Sequence, residues 1–153
     1  MKKIFNATFI LYLFALFYIL FWRKPPFSQS MSMLEFALYN MNLIPFRTII
    51  GYVKELFNQN MNLSIPVTNL LGNLLLFLPM GVYLPVMFKK MDAGKKFFLV
   101  MLLIILLVEI IQIVTKSGAF DIDDLILNLS GAMLGFAIYK AVFKKVLQDK
   151  YNR

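Results

Sequence analysis

Apolar positions run almost unbroken through four stretches of this chain, and Lys, Asn, Asp, Ser and Pro gather between them. A helix needs about 20 predominantly apolar residues to cross the hydrocarbon core of a bilayer. In lipid a helix also satisfies every backbone N–H and C=O within its own segment. The pattern therefore predicts membrane spans over 4–22, 66–88, 97–115 and 125–143. The first is preceded by Lys2 and Lys3, is followed by Trp22, Arg23 and Lys24, and lacks a small-residue cleavage site, so it reads as an uncleaved anchor. The second carries Asn69, Asn73, Pro79 and Pro85 and is expected to kink, because proline removes a helical hydrogen bond.

A different periodicity appears between the first two spans. From Phe46 onward, Phe46, Ile49, Ile50, Val53, Leu56 and Phe57 recur at helical spacing, while Arg47, Thr48, Lys54, Glu55 and Asn58 point elsewhere. This is the pattern of an amphipathic helix lying on a bilayer surface or capping a bundle. Pro45 favours an extended entry at Ile44 and a helix start just beyond. The expected fold is all-α: a polytopic membrane bundle of four transmembrane helices plus an amphipathic helix in the first outer loop. No internal repeat or low-complexity linker divides the chain, so residues 1–153 read as one membrane domain.

Composition narrows the class further. With 60% hydrophobic residues, sixteen Phe and ten Met, a soluble fold of 153 residues would leave large apolar surfaces in water. The net charge of +8 does not indicate nucleic acid, because the basic residues sit at the ends of the apolar runs. Lys2, Lys3, Lys89, Lys90, Lys95, Lys96, Lys140, Lys144, Lys145, Lys150 and Arg153 fall on one side. Arg23, Lys24, Arg47, Lys54 and Lys116 fall on the other. This bias places both termini in the cytoplasm and directs 23–65 and 116–124 outward. The absence of Cys and His removes thiol chemistry, imidazole bases and the common zinc sites.

Polar side chains inside the spans define the candidate site. At about 1.5 Å per residue, Asn69 lies about 4.5 Å and Asn73 about 10 Å below the outer end of the second span. On the third span Glu109 lies about 9 Å and Gln112 about 4.5 Å below that end, and on the fourth Asn128 lies about 4.5 Å below it. Asn69 and Asn73 are four apart and Glu109 and Gln112 three apart, so each pair shares a helix face. A charged side chain at mid-membrane costs about 2.5–3.5 kcal/mol, so Glu109 must be protonated, hydrogen-bonded, near water or paired with a cation. Arg47, Lys116 or a ligand are candidates for that cation. Asp121, Asp123 and Asp124 crowd three carboxylates into four residues, and their mutual repulsion calls for a cation or basic group nearby.

Plainer readings compete with these. Asn69, Asn73 and Gln112 can serve as interhelical glue. Asp123 and Asp124 can cap the fourth helix and complement its dipole. Gly131 and Gly135 form a small-xxx-small face suited to tight internal packing rather than dimerisation.

The blocks in order are Asn42-Leu43-Ile44-Pro45-Phe46, Asn69-Leu70-Leu71-Gly72-Asn73 with Phe77-Leu78-Pro79-Met80-Gly81, Glu109-Ile110-Ile111-Gln112, and Asp121-Ile122-Asp123-Asp124 with Asn128 and Gly131 to Gly135. Together they resemble the VanZ-like family over about 40–144. The resemblance implies a small multi-span bacterial membrane protein, in a family named for a member associated with low-level resistance to the lipoglycopeptide teicoplanin. Many members have an Arg in the loop between the E-x-x-Q and D-x-D-D blocks, where Lys116 is the basic residue of this chain.

Three functions fit these observations. The favoured one is a binding module without catalysis, in which Asn42, Arg47, Asn69, Asn73, Glu109, Gln112, Asp121, Asp123, Asp124 and Asn128 contact the polar head of an amphiphile. That partner would be a membrane lipid, a lipid-linked cell-wall precursor or a lipoglycopeptide antibiotic. The second is an enzyme on a lipid phosphate, with Asp121, Asp123 and Asp124 holding a divalent cation and Glu109 as general base. The third is a structural or accessory subunit in which polar residues only specify packing.

Overall fold

A computed structural model describes residues 2–22, 31–58 and 62–144; Arg23, Lys24, Lys145, Lys150 and Arg153 of the charge count lie outside them. The chain folds as α1 (Lys2–Phe21), α2 (Met33–Asn40), α3 (Arg47–Asn58), α4 (Ser64–Leu76), α5 (Leu78–Met87), α6 (Gly94–Val114) and α7 (Ile122–Ile138). The strand content described is one parallel bridge between β1 (Met41–Asn42) and β2 (Phe120–Asp121). The fold is thus all-α, as the apolar runs require. Four helical stretches are long and apolar enough to cross a membrane: Ile4–Phe21, Ser64–Met87, Gly94–Val114 and Ile122–Phe143.

Contacts gather in two compact units where the sequence suggests one domain. The first comprises Met1–Leu43 with Leu107–Asp121, the second Ile44–Leu106 with Ile122–Arg153.

In the second unit, α4 and α5 together form the expected kinked span. Pro79 stands at the start of α5, and the helix breaks at Phe77. Pro79 has no N–H to offer the Leu75 carbonyl, which takes the Phe77 N–H instead. Pro85 lies inside α5, which ends two residues later. Lipid tails are as apolar as Leu, so helix association in a membrane relies on close packing rather than on the hydrophobic effect. The glycines of α7 provide that closeness. A methyl on Gly131 would come within 1.8 Å of the Leu74 carbonyl oxygen, and one on Gly135 within 1.9 Å of that of Leu78. From the other side, a methyl on Gly81 would meet the Ala132 carbonyl at 2.3 Å. The small-xxx-small face therefore packs inside the unit. Phe77, Phe97, Met101, Ile105 and Ala132 complete a buried core, with Phe97 stacked on Phe136 at 4.7 Å.

The first unit holds α1, α2, the end of α6 and the β1–β2 bridge. Helix α2 is absent from the sequence reading, yet its start carries a visible signal. Ser32 accepts the Glu35 backbone N–H and the Glu35 carboxylate accepts the Ser32 N–H, a capping box spelled by Ser-x-x-Glu. These hydrogen bonds also hold the Glu35 carboxyl below its ordinary pKa. The end of α6 is equally well formed. Ser117 N–H reaches the Gln112 carbonyl and Lys116 N–H reaches that of Ile113, with Lys116 left-handed at φ 53°. This is the Schellman arrangement, in which glycine usually occupies the left-handed position.

Candidate functional site

Asp123 opens the site. It lies in the first turn of α7 and is completely buried. The plainer sequence reading lets it cap its own helix, but three of its hydrogen bonds go to a different one. Oδ1 accepts the Phe46 N–H at 2.5 Å, while Oδ2 accepts the N–H groups of Thr48 at 2.8 Å and Ile49 at 3.0 Å. These donors lie at the start of α3, where backbone N–H groups have no partner within the helix. Asp123 thus supplies the missing N-cap from elsewhere in the chain, with a negative charge at the positive end of the α3 dipole. Phe46 lies outside α3 and is left-handed, with φ 66°. A β-carbon makes that conformation costly, and the Phe46 bond to Asp123 helps to hold it.

The apolar set on α3 divides once the helix is docked. Thr48, Ile49, Tyr52, Glu55 and Leu56 are half-buried, whereas Phe46, Ile50, Val53 and Phe57 are exposed, Phe57 by 82%. Arg47 is also exposed.

One residue on, the side-chain amide of Asn73 donates to Asp124 Oδ1, which joins α4 to α7. Asn69 turns its amide back toward the Ile65 carbonyl of its own helix at 3.5 Å, so it does not follow Asn73 in that bond. One turn beyond Asp124, Asn128 is 2% exposed, and its Oδ1 has no hydrogen-bond partner among the described residues. A buried acceptor left without a donor costs about 1–3 kcal/mol. Asn73, Asp124 and Asn128 therefore form a polar group on α4 and α7 with one acceptor still open.

The remaining candidates belong to the first unit. Glu109 is buried, with 2% exposure. Gln112 Nε2 donates to the Leu20 carbonyl at 3.0 Å, joining α6 to the end of α1 as packing glue would. Gly118 closes over the same amide, since a methyl there would sit 3.0 Å from Nε2. Asn42 Nδ2 donates to Asp121 Oδ1 at 3.1 Å, beside the pairing of the same two residues in the parallel bridge. Lys116 extends its ammonium to the Met31 carbonyl at 2.5 Å.

Asp121, Asp123 and Asp124, the carboxylates read as candidate cation ligands, each accept hydrogen bonds from other parts of the chain. Among the described residues no group of three His, Cys, Asp or Glu side chains is placed to hold a metal ion. Both Asp123 oxygens are occupied by backbone donors, Asp121 accepts from Asn42 and Asp124 from Asn73. Amide and backbone N–H groups thus stand beside the carboxylates whose crowding calls for a cation or basic group.

Long apolar helices and polar side chains hydrogen-bonded between them define a multi-pass helical membrane protein. The chain belongs to the VanZ/LLP1 family, whose model matches residues 9–144. The match begins inside α1, so it is wider than the blocks from Asn40 onward suggest. The chain is similar to Protein VanZ of Enterococcus faecium, with 32% identity over 123 residues. That stretch covers 80% of this chain and 66% of the relative. No solved structure matches the chain.

Proposed function

We propose that this protein binds an amphiphilic cell-envelope ligand at the Asn73–Asp124–Asn128 group and thereby lowers access of teicoplanin-type glycopeptides to the cell surface. The supporting observation is Asn128, a buried amide with an open acceptor one turn from the Asn73–Asp124 pair. A ligand head group that donates a hydrogen bond there would remove the cost of an unmet buried acceptor. Its tail would lie in the surrounding lipid. The exposed stripe Phe46, Ile50, Val53 and Phe57 on α3 offers apolar contact to such a tail. The protein then resides in a bacterial cell membrane with both termini cytoplasmic, and the ligand is a membrane lipid, a lipid-linked cell-wall precursor or the lipoglycopeptide itself. Membership of the VanZ/LLP1 family supports this reading.

Cells producing Asp124→Asn or Asn128→Leu at the wild-type level are expected to bind more labelled teicoplanin than wild-type cells. Unchanged binding at equal expression overturns the reading. Glu109→Gln, in the first unit, is scored separately in the same assay. A structural role has its own support, because Asp121, Asp123 and Asp124 all serve intramolecular hydrogen bonds. It predicts that the same variants lower the amount of folded protein but leave its phenotype per molecule intact.

A further inference from the structure

The end of the second unit that carries the α5–α6 turn gathers a strong charge that the proposed ligand site does not use. Lys89 and Lys90 lie in the 3-10 turn Lys89–Asp92, and Lys95 and Lys96 open α6. All four are exposed and form no ion pair among the described residues. The turn is held in place by its acidic residue. Asp92 Oδ1 meets Lys140 Nζ at 2.6 Å and Oδ2 meets Lys144 Nζ at 2.7 Å, while Lys140 also reaches the Asp92 carbonyl at 2.6 Å. Both oxygens of the one carboxylate in this turn are therefore engaged, and among the described residues the four outer ammonium groups have no acidic partner.

Lys140 and Lys144 come to the same carboxylate because α7 ends in a wide π-turn, Tyr139–Phe143, closed by the Lys144 N–H on the Tyr139 carbonyl. Lys140 also lies 5.3 Å from the centre of the Phe136 ring. The turn is thus fixed to the last turn of a membrane-length helix, and its lysines flank the ends of two others, Ser64–Met87 and Gly94–Val114. Lysines that flank membrane-length helices fall where a bilayer carries its head-group phosphates. Phe88 beside the first pair and Phe98 just beyond the second are exposed apolar side chains placed to meet acyl chains.

We propose that Lys89, Lys90, Lys95 and Lys96 form a binding surface for the phosphate head group of an anionic phospholipid, held in register by the Asp92–Lys140–Lys144 bridge. The adjacent apolar side chains favour a lipid over a soluble anion, and the cluster carries the charge to select an anionic lipid over a zwitterionic one. A lysine near an anionic membrane surface contributes attraction worth about fivefold in binding.

The test is native mass spectrometry of the purified full chain titrated with phosphatidylglycerol, phosphatidylcholine or inorganic phosphate. Phosphatidylglycerol is expected to bind at least about tenfold more tightly than phosphatidylcholine. The preference should disappear in the variant Lys89→Gln, Lys90→Gln, Lys95→Gln, Lys96→Gln, and return when the four positions are Arg. Lys54→Gln, on α3, should leave it unchanged. Equal binding of the two lipids, a preference retained by the fourfold Gln variant, or displacement of the lipid by equimolar inorganic phosphate overturns the proposal.

Discussion

Two aspartates hold the two ends of α7, and they do so by opposite means. Asp123, at the helix start, is fully buried and receives three backbone N–H groups of α3. Asp92, facing the other end, is about one-third exposed and is met by two ammonium groups. The first contact joins a carboxylate to helix-start N–H groups that their own helix cannot satisfy. The second is an ion pair in contact with solvent, where attraction is offset by hydration and screened by salt. The buried contact should therefore govern whether α3 is docked, and the exposed one should adjust stability only slightly.

The largest expected effect tests that ranking directly. Asp123→Ala should destabilise the protein by about 2–4 kcal/mol by leaving the Phe46, Thr48 and Ile49 N–H groups without an acceptor. Thermal unfolding in detergent measures the loss, and hydrogen exchange at those amides should accelerate before global unfolding. Asp123→Asn keeps one acceptor oxygen and should lose less. Wild-type stability in Asp123→Ala would overturn the assignment of this residue as the cap of α3.

Next in size is the glycine face between the two ends. Gly131→Ala should cost about 1–3 kcal/mol, because its methyl meets the Leu74 carbonyl and the backbones must separate. Gly51→Ala on α3 is the contrast, since nothing lies within 4 Å of the added methyl. It should stabilise the protein by about 0.5–1 kcal/mol through helix propensity. If both substitutions had the same sign, close approach at Gly131 would not be what fixes α4 against α7.

The smallest effect belongs to Asp92. Hydrogen bonds from Lys140 and then Lys144 lower its carboxyl pKa from 3.8 to about 2. The folded protein therefore binds fewer protons than the unfolded chain in that interval. The stabilisation is fully present above about pH 4 and is lost as pH falls toward 2. Asp92→Asn should remove under about 1 kcal/mol at neutral pH, and less in high salt. Melting temperatures from pH 5 to 2 should fall less steeply in the variant than in wild type. Identical slopes would show that the two lysines do not stabilise the ionised carboxyl.

Much of the fold was legible because the relevant physics is local. Twenty apolar residues in a row specify a membrane helix by length alone, and Pro79 places the kink because a proline disturbs its own turn. Helix α2 carries a local signal too, since Ser32 and Glu35 spell its cap. The destination of Asp123 was not legible. Nothing within four residues of it distinguishes a cap for α7 from a cap for α3, whose first turn lies more than seventy positions earlier. The Asn42–Asp121 bond and the two-residue parallel bridge beside it were hidden for the same reason, being separated by 79 positions.

The amino-acid order alone determined that this is a multi-pass helical protein with costly polar groups near the ends of its spans. Hydropathy and helix periodicity act over a few turns and need no partner. Tertiary structure decided which donor each carboxylate receives, which glycine faces which carbonyl, and that Asn128 is buried with its Oδ1 unpaired among the described residues. Hydrogen bonds and close contacts depend on distances of a few ångströms between remote residues, and those distances exist only once the helices have packed.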